Sequence, residues 1–194
     1  MATHPAQQRL TPQEYLAIER AAETKSEYLD GFLIAMSGAT PAHVLITVNV
    51  AAEIHRQFRG RRCRVFTQDL RVRVEEGDLY AYPDVVAVCG EPEFEAGALD
   101  CLTNPTLIVE VLSESTEAYD RGKKFERYRR RPSLQEYVLI AQDRVSVEHY
   151  SRHGEFWMYS DATGLDDVME LPSIGCSLAL RDIYDKVEGL TTDG

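Results

Sequence analysis

A chain of 194 residues that is 44% hydrophobic and 27% charged has the profile of one ordinary soluble domain able to bury a proper core. No stretch approaches the length of a membrane span, and the opening "MATHPAQQRL" lacks the basic and apolar regions of a secretory signal, so a cytoplasmic location is expected. The formal net charge of -11 argues against generic nucleic-acid binding, yet it conceals two basic spots. Residues 56–64, "RQFRGRRCR", hold five Arg and no acid, and residues 121–131, "RGKKFERYRRR", hold seven Lys or Arg against Glu126 alone. Each spot alone reads equally well as a solvated helix end or as a phosphate contact.

In chain order, Thr11, Pro12 and Glu14 make a helix start with a threonine cap and a glutamate reaching back, which predicts a helix over 12–22. "SEYLDGFLIAM" places two apolar runs around Asp30-Gly31, a hairpin signal. From Pro41 to Phe58, Val44, Val48, Ala51 and Phe58, with Leu45, Ala52 and Ile54, recur at helical spacing and describe an apolar face; Gly60 ends the helix. "CRVFTQDLRVRVEE" alternates Leu70, Val72 and Val74 with Arg71 and Arg73 as a half-exposed strand, a turn follows at Gly77-Asp78, and "YAYPDVVAV" reads as another strand. Residues 90–105 are acidic and broken by Gly and Pro, a surface loop.

A buried-type strand, "LIVEVLS", comes next, then a helix over 117–130 stopped by Pro132. "LQEYVLIA", "RVSVEHYS" and "GEFWMYS" read as successive strands, and "LALRDIYDKV" as a closing helix. The four cysteines, Cys63, Cys89, Cys101 and Cys176, stand singly, with neither zinc spacing nor disulfide density, and are expected to be reduced. The order suggests an α/β fold with a mixed sheet flanked by helices.

The chemistry begins with Glu110, a single carboxylate in an otherwise apolar run, which costs several kcal/mol unless something pairs with it. Strand alternation sets Ile108, Glu110 and Leu112 on one face and Leu107, Val109 and Val111 on the other. The same rule groups Asp84 with Tyr82, Val86 and Val88, so two strands each offer one acid. Two such acids in one cleft repel each other unless a cation lies between them, and a hard divalent ion such as Mg²⁺ takes one or two carboxylates from protein. Asp120, Lys124 and Tyr128 recur at four-residue spacing on one helix face, from which Lys124 can swing back over the strand end. Glu27, on the early hairpin, is a further oxygen donor. His43, His149, His153, Trp157 and Tyr159 read better as packing or surface residues and stand outside the expected site.

"YPDVV", then "LIVEVLSEST", then "YDRGKKFERY", with "SEYLDG" upstream, resembles the Uma-type family of endonucleases, a branch of the restriction-endonuclease-like PD-(D/E)xK superfamily. The likeness runs over roughly residues 10–187, which it implies to be a single domain with a central mixed β-sheet flanked by α-helices, residues 1–9 and 191–194 being frayed ends. It implies that Asp84 and Glu110 ligate Mg²⁺ or Mn²⁺, with the carbonyl of Val111 as a third ligand. The superfamily's lysine, two residues after the glutamate, is here Leu112; in the Uma-type pattern Lys124 takes its place, and Glu27 matches the family's early glutamate. The implied function is metal-dependent phosphodiester hydrolysis, on nucleic acid and specifically DNA, by a homodimer. A non-cleaving binding or interaction module on the same fold is the rival, and DNA nicking with metal separates the two.

Overall fold

The computed structural model describes residues 9–74, 79–96 and 98–191, with the backbone alone at 98 and 99. The expected turn at Gly77-Asp78 and most of both chain ends lie outside the described residues. Helix α1 (Pro12–Ala21) starts as the sequence dictates: Thr11 accepts from the Glu14 N–H while the Glu14 carboxylate accepts from the Thr11 N–H. Strands β1 (Ser26–Leu29) and β2 (Phe32–Ala35) form the hairpin, with Asp30 and Gly31 both at positive φ, +49° and +96°, as a two-residue turn between antiparallel strands requires.

Helix α2 (Pro41–Gln57) is capped by Thr40, with Pro41 at its first turn. Its buried face is Ile46, Thr47, Val50 and Ile54, whereas Val44 and Val48, expected in the core, are 43% and 55% exposed. The helix is apolar nearly all round, so periodicity alone does not select the face that packs.

Further expectations are corrected. "CRVFTQDLRVRVEE" is two strands, β3 (Cys63–Thr67) and β4 (Arg71–Val74), and "YAYPDVVAV" is also two, β5 (Leu79–Ala81) and β6 (Val85–Cys89), parted at Pro83-Asp84 where proline cannot continue a ladder. The expected loop at 90–105 contains β7 (Phe94–Glu95) and β8 (Ala98–Leu102). Cys63 and Cys89, opposite each other in register on β3 and β6, are joined in a disulfide, while Cys101 and Cys176 are free and buried.

β9 (Leu107–Leu112) is followed by a composite helix: α3 (Glu117–Tyr119), a π-helical turn (Asp120–Lys124) and α4 (Phe125–Tyr128). Then come β10 (Glu136–Ala141), β11 (Val147–His153) and β12 (Phe156–Ala162), as expected. A hairpin, β13 (Val168–Leu171) with β14 (Cys176–Ala179), follows, and the last expected helix, 178–187, is helical only over α5 (Leu180–Ile183), its first two residues ending β14.

Among the described residues the strands build two six-stranded sheets, β2-β1-β5-β4-β8-β7 and β12-β11-β10-β9-β6-β3, beside the β13-β14 pair. Both are mixed, with parallel pairs β4·β8 and β9·β10. Alternation on β9 divides the core as the sequence predicts: Leu107, Val109 and Val111 pack with Ile46, Val50 and Ile54 of α2, while Ile108 and Leu112 pack with Val72, Val74 and Leu79 of the other sheet. Glu110 therefore lies on the side facing the first sheet and the composite helix. Among the described residues no helix is long and apolar enough to cross a membrane.

Candidate functional site

The break at Pro83 releases Asp84 from strand pairing at the mouth of β6, where Val85 opposes Val109 of β9. Asp84 Oδ2 accepts the Val111 N–H at 2.7 Å, which ties one acid to the residue after the other. Its Oδ1 lies 2.8 Å from His43 Nε2, and both side chains are about 15% exposed, at 14% and 15%. His43 was the residue that sequence reasoning left out. The Thr40 cap fixes it in the first turn of α2, but 41 positions separate it from Asp84, and nothing local announces the contact.

Glu110 is buried on β9, with Oε1 accepting from Lys124 Nζ at 3.1 Å and from the Tyr128 hydroxyl at 3.2 Å. Lys124 Nζ also lies 3.0 Å from Glu27 Oε1 and 3.2 Å from Asp120 Oδ1. Glu27, Glu110, Asp120 and Lys124 are all nearly sealed from solvent. Glu27 is held in turn by the Tyr82 N–H at 3.1 Å, from the residue just after β5. The π turn places Asp120 and Lys124 inward together, and the Tyr137 hydroxyl donates to the Asp120 carbonyl at 3.0 Å within it. π turns inside helices occur often at functional sites, because they aim side chains that a regular helix would turn away.

Burial pushes the Glu110 carboxyl well above the ordinary carboxylate range; Lys124 opposes the rise and Asp120, Asp84 and Glu27 add to it. For Lys124 burial works against the charge, but Glu110, Glu27 and Asp120 outweigh it and hold the ammonium's pKa well above the usual lysine value. Desolvation likewise raises the Tyr119, Tyr128 and Tyr137 hydroxyls that wall the cluster. Four carboxylates thus share one lysine and one histidine, an excess of acid in a buried place.

Among the described residues no three His, Cys, Asp or Glu side chains form a ready-made metal cage. The donor chemistry nevertheless fits a hard divalent cation: all the groups offered are carboxylate oxygens, the negative charge exceeds the positive, and Asp120 Oδ1 is buried without a directed hydrogen bond. Asp84 and Glu110, with the carbonyl of Val111, the residue after Glu110, are the groups that would hold it.

The structure brings Asp84, Glu110, Lys124 and Glu27 to one place and adds His43, Asp120 and Tyr128. The basic spots are placed differently from a free phosphate-binding face. Arg56 pairs with Glu53, Arg61 binds the carbonyl of Ile174, Arg64 pairs with Glu91, and Arg121 pairs with Glu117 and Glu148. Arg59, Arg62, Lys123 and Arg129 stay exposed.

The fold is mixed α/β, with a buried acid–lysine cluster where strands of both sheets meet the composite helix. The profile of the Uma2 family, described as "Putative restriction endonuclease", matches residues 12–181, and the chain belongs to that family. It is 38% identical over 156 residues to the uncharacterized protein sll1609 of Synechocystis, covering 80% of this chain and 88% of that one. It is 36% identical over 177 residues to the uncharacterized protein slr1290 of the same organism, covering 91% and 92%. In fold it is similar to a crystal structure described as a putative nuclease belonging to DUF820 from Anabaena variabilis, with a TM-score of 0.75 and 21% identity over 90% of this chain and 97% of that one. Family membership supports a nuclease function in general terms.

Proposed function

We propose that the chain is a nuclease dependent on Mg²⁺ or Mn²⁺, hydrolysing phosphodiester bonds in DNA and working as a homodimer. The observation that carries this reading is the convergence of Asp84, Glu110, Glu27 and Lys124 from separate elements onto one buried spot. A structural ion pair needs one acid for one lysine; this cluster has a surplus of acids, which adds to the effect of burial in raising Glu110 toward its neutral form.

Asp84 and Glu110 would hold the metal, which would supply Lewis acidity and lower the pKa of a water bound to it. The remaining work falls to the chain. His43 fixes the rotamer of Asp84 through Oδ1, and the Val111 N–H fixes it through Oδ2, so both acids present oxygens in a set geometry. Lys124, kept protonated by Glu110, Glu27 and Asp120, acts as a charged donor to the phosphate, where negative charge builds in the transition state. The same elevation argues against Lys124 as the general base. Arg59, Arg62, Lys123 and Arg129 are exposed and available to backbone phosphates.

The non-cleaving module stays as a second reading because Lys124 is saturated by three carboxylates, and Arg56, Arg64, Arg121, Arg127 and Arg130 are each paired with an acid within the chain. Supercoiled plasmid incubated with purified protein decides between them. Nicking with Mg²⁺ or Mn²⁺, absent with EDTA and absent from Asp84→Asn and Glu110→Gln, is the expected result. Salt-sensitive retention of DNA without nicking in either metal supports the module.

A further inference from the structure

Among the described residues β12 is paired on one side only, by β11. It has seven residues, against four, five and two for β2, β3 and β7 at the other sheet ends. Open edges are normally blunted by lysine, proline or a bulge. "FWMYSDA" has no lysine or proline, and its register with β11 runs unbroken from Val147↔Ala162 to His153↔Phe156. The strand also shows apolar groups on both faces: Phe156 is 79% and Met158 55% exposed on one, Tyr159 52% on the other.

We infer that β12 pairs antiparallel with β12 of a second copy of this chain, about a two-fold axis through Tyr159. Directly opposite residues must point to the same face, so a two-fold axis between antiparallel copies of one strand passes through a residue, never between two. With the axis at Tyr159, Phe156 meets Ala162 of the second copy and the whole strand is paired end to end. An axis at Met158 sets Glu155 opposite Asp161 of the second copy, a like-charge pair. An axis at Ser160 leaves Phe156 and Trp157 beyond the end of the facing strand.

The Tyr159 register is also complementary in charge. It brings Asp161 of each copy opposite Trp157 of the other. The Trp157 ring carries the Arg152 guanidinium 4.5 Å from its centroid. Arg152 is held by the carbonyls of Leu134, Arg129 and Arg131 and has no carboxylate partner among the described residues. The strand's one acid thus approaches, twice over, a guanidinium that lacks a counter-charge. On the opposite face Phe156 and Met158 are covered by Ala162 and Ser160 of the second copy. Full-length overlap and this charge match favour a second copy over an unrelated strand.

The inference rests on the dimeric part of the proposed function, and sedimentation of the full chain separates their failures. Wild-type protein is expected to sediment as a dimer, and Met158→Lys as a monomer that stays folded and melts cooperatively, at a temperature that, unlike the wild type's, does not depend on concentration. Tyr159→Cys, which faces itself across the axis within disulfide reach, is expected to form a covalent dimer on mild oxidation, whereas Phe156→Cys is not. A wild-type monomer at all concentrations overturns both the dimer and its interface. A dimer that survives Met158→Lys, with Tyr159→Cys unlinked, overturns the interface and leaves the dimer standing; plasmid nicking is scored independently of either.

Discussion

The ammonium of Lys124 lies 3.1 Å from Glu110 Oε1 although the two residues are 14 apart in sequence and belong to different elements. The cation reaches the acid from the composite helix, while Leu112, on β9 two residues after Glu110, packs into the core between the sheets. Strand β9 is thus free to stay apolar, and the charge is supplied by a helix whose π turn faces it inward.

Lys124→Met leaves Glu27, Glu110 and Asp120 around an empty centre. Breaking a buried pair by removing one partner costs about 3–5 kcal/mol. Urea unfolding at neutral pH is expected to show a loss of that order together with loss of nicking. A change near zero means the three acids are solvated and the cluster is not as buried as described.

Glu110→Gln is expected to abolish nicking and yet not destabilise the metal-free protein. The folded pKa of Glu110 lies above its unfolded value, so its contribution to stability is fully present below the ordinary glutamate range and is lost as pH rises through the raised pKa. The variant lacks that loss. Its stability relative to wild type, measured by thermal melts in EDTA, should therefore climb with pH across that window, the usual cost of holding like charges for function. A variant that grows relatively less stable with pH contradicts the stated direction.

His43→Ala removes the group 2.8 Å from Asp84 Oδ1 without touching the buried acids. Loss of a group that orients a metal ligand typically costs 10–100-fold in metal affinity or activity. A nicking rate lower by about that factor, with weaker Mn²⁺ binding by calorimetry and a nearly unchanged melting temperature, is the expected outcome. Unaltered Mn²⁺ affinity would make His43 a packing residue.

The Cys63–Cys89 bond joins β3 to β6, the strand that begins one residue after Asp84. Closing a loop of 26 residues restricts the unfolded chain by about 3.5 kcal/mol in the chain-entropy treatment. Reduction with dithiothreitol, or Cys63→Ser with Cys89→Ser, is expected to lower the melting temperature. Equal melting with and without reductant would show that the bond does not form in solution.

Much of the frame was legible because its signals are local. The Thr11–Glu14 capping box, the Asp30-Gly31 turn and the two-residue alternation around Glu110 each decide structure within a few residues, and each element is found where the pattern puts it. Glu27, Asp84, Glu110 and Lys124 were legible as a set through the family's motifs. What failed was non-local. The exposed Val44 and Val48 face of α2 differs from its buried face only in what packs against it. The division of "YAYPDVVAV" between two sheets was announced by Pro83 but masked by the apolar run around it. His43 and the Cys63–Cys89 pair depend on strands and helices meeting across the fold, and neither has a spacing that reveals it.

The central claim is that Asp84 and Glu110 jointly hold a divalent cation, and diffraction at the manganese edge from crystals soaked in Mn²⁺ tests it most directly. The account predicts an anomalous peak within coordinating distance of carboxylate oxygens of both residues, missing in Asp84→Asn. A peak elsewhere, or none with Lys124 still seated among Glu27, Glu110 and Asp120, would contradict it.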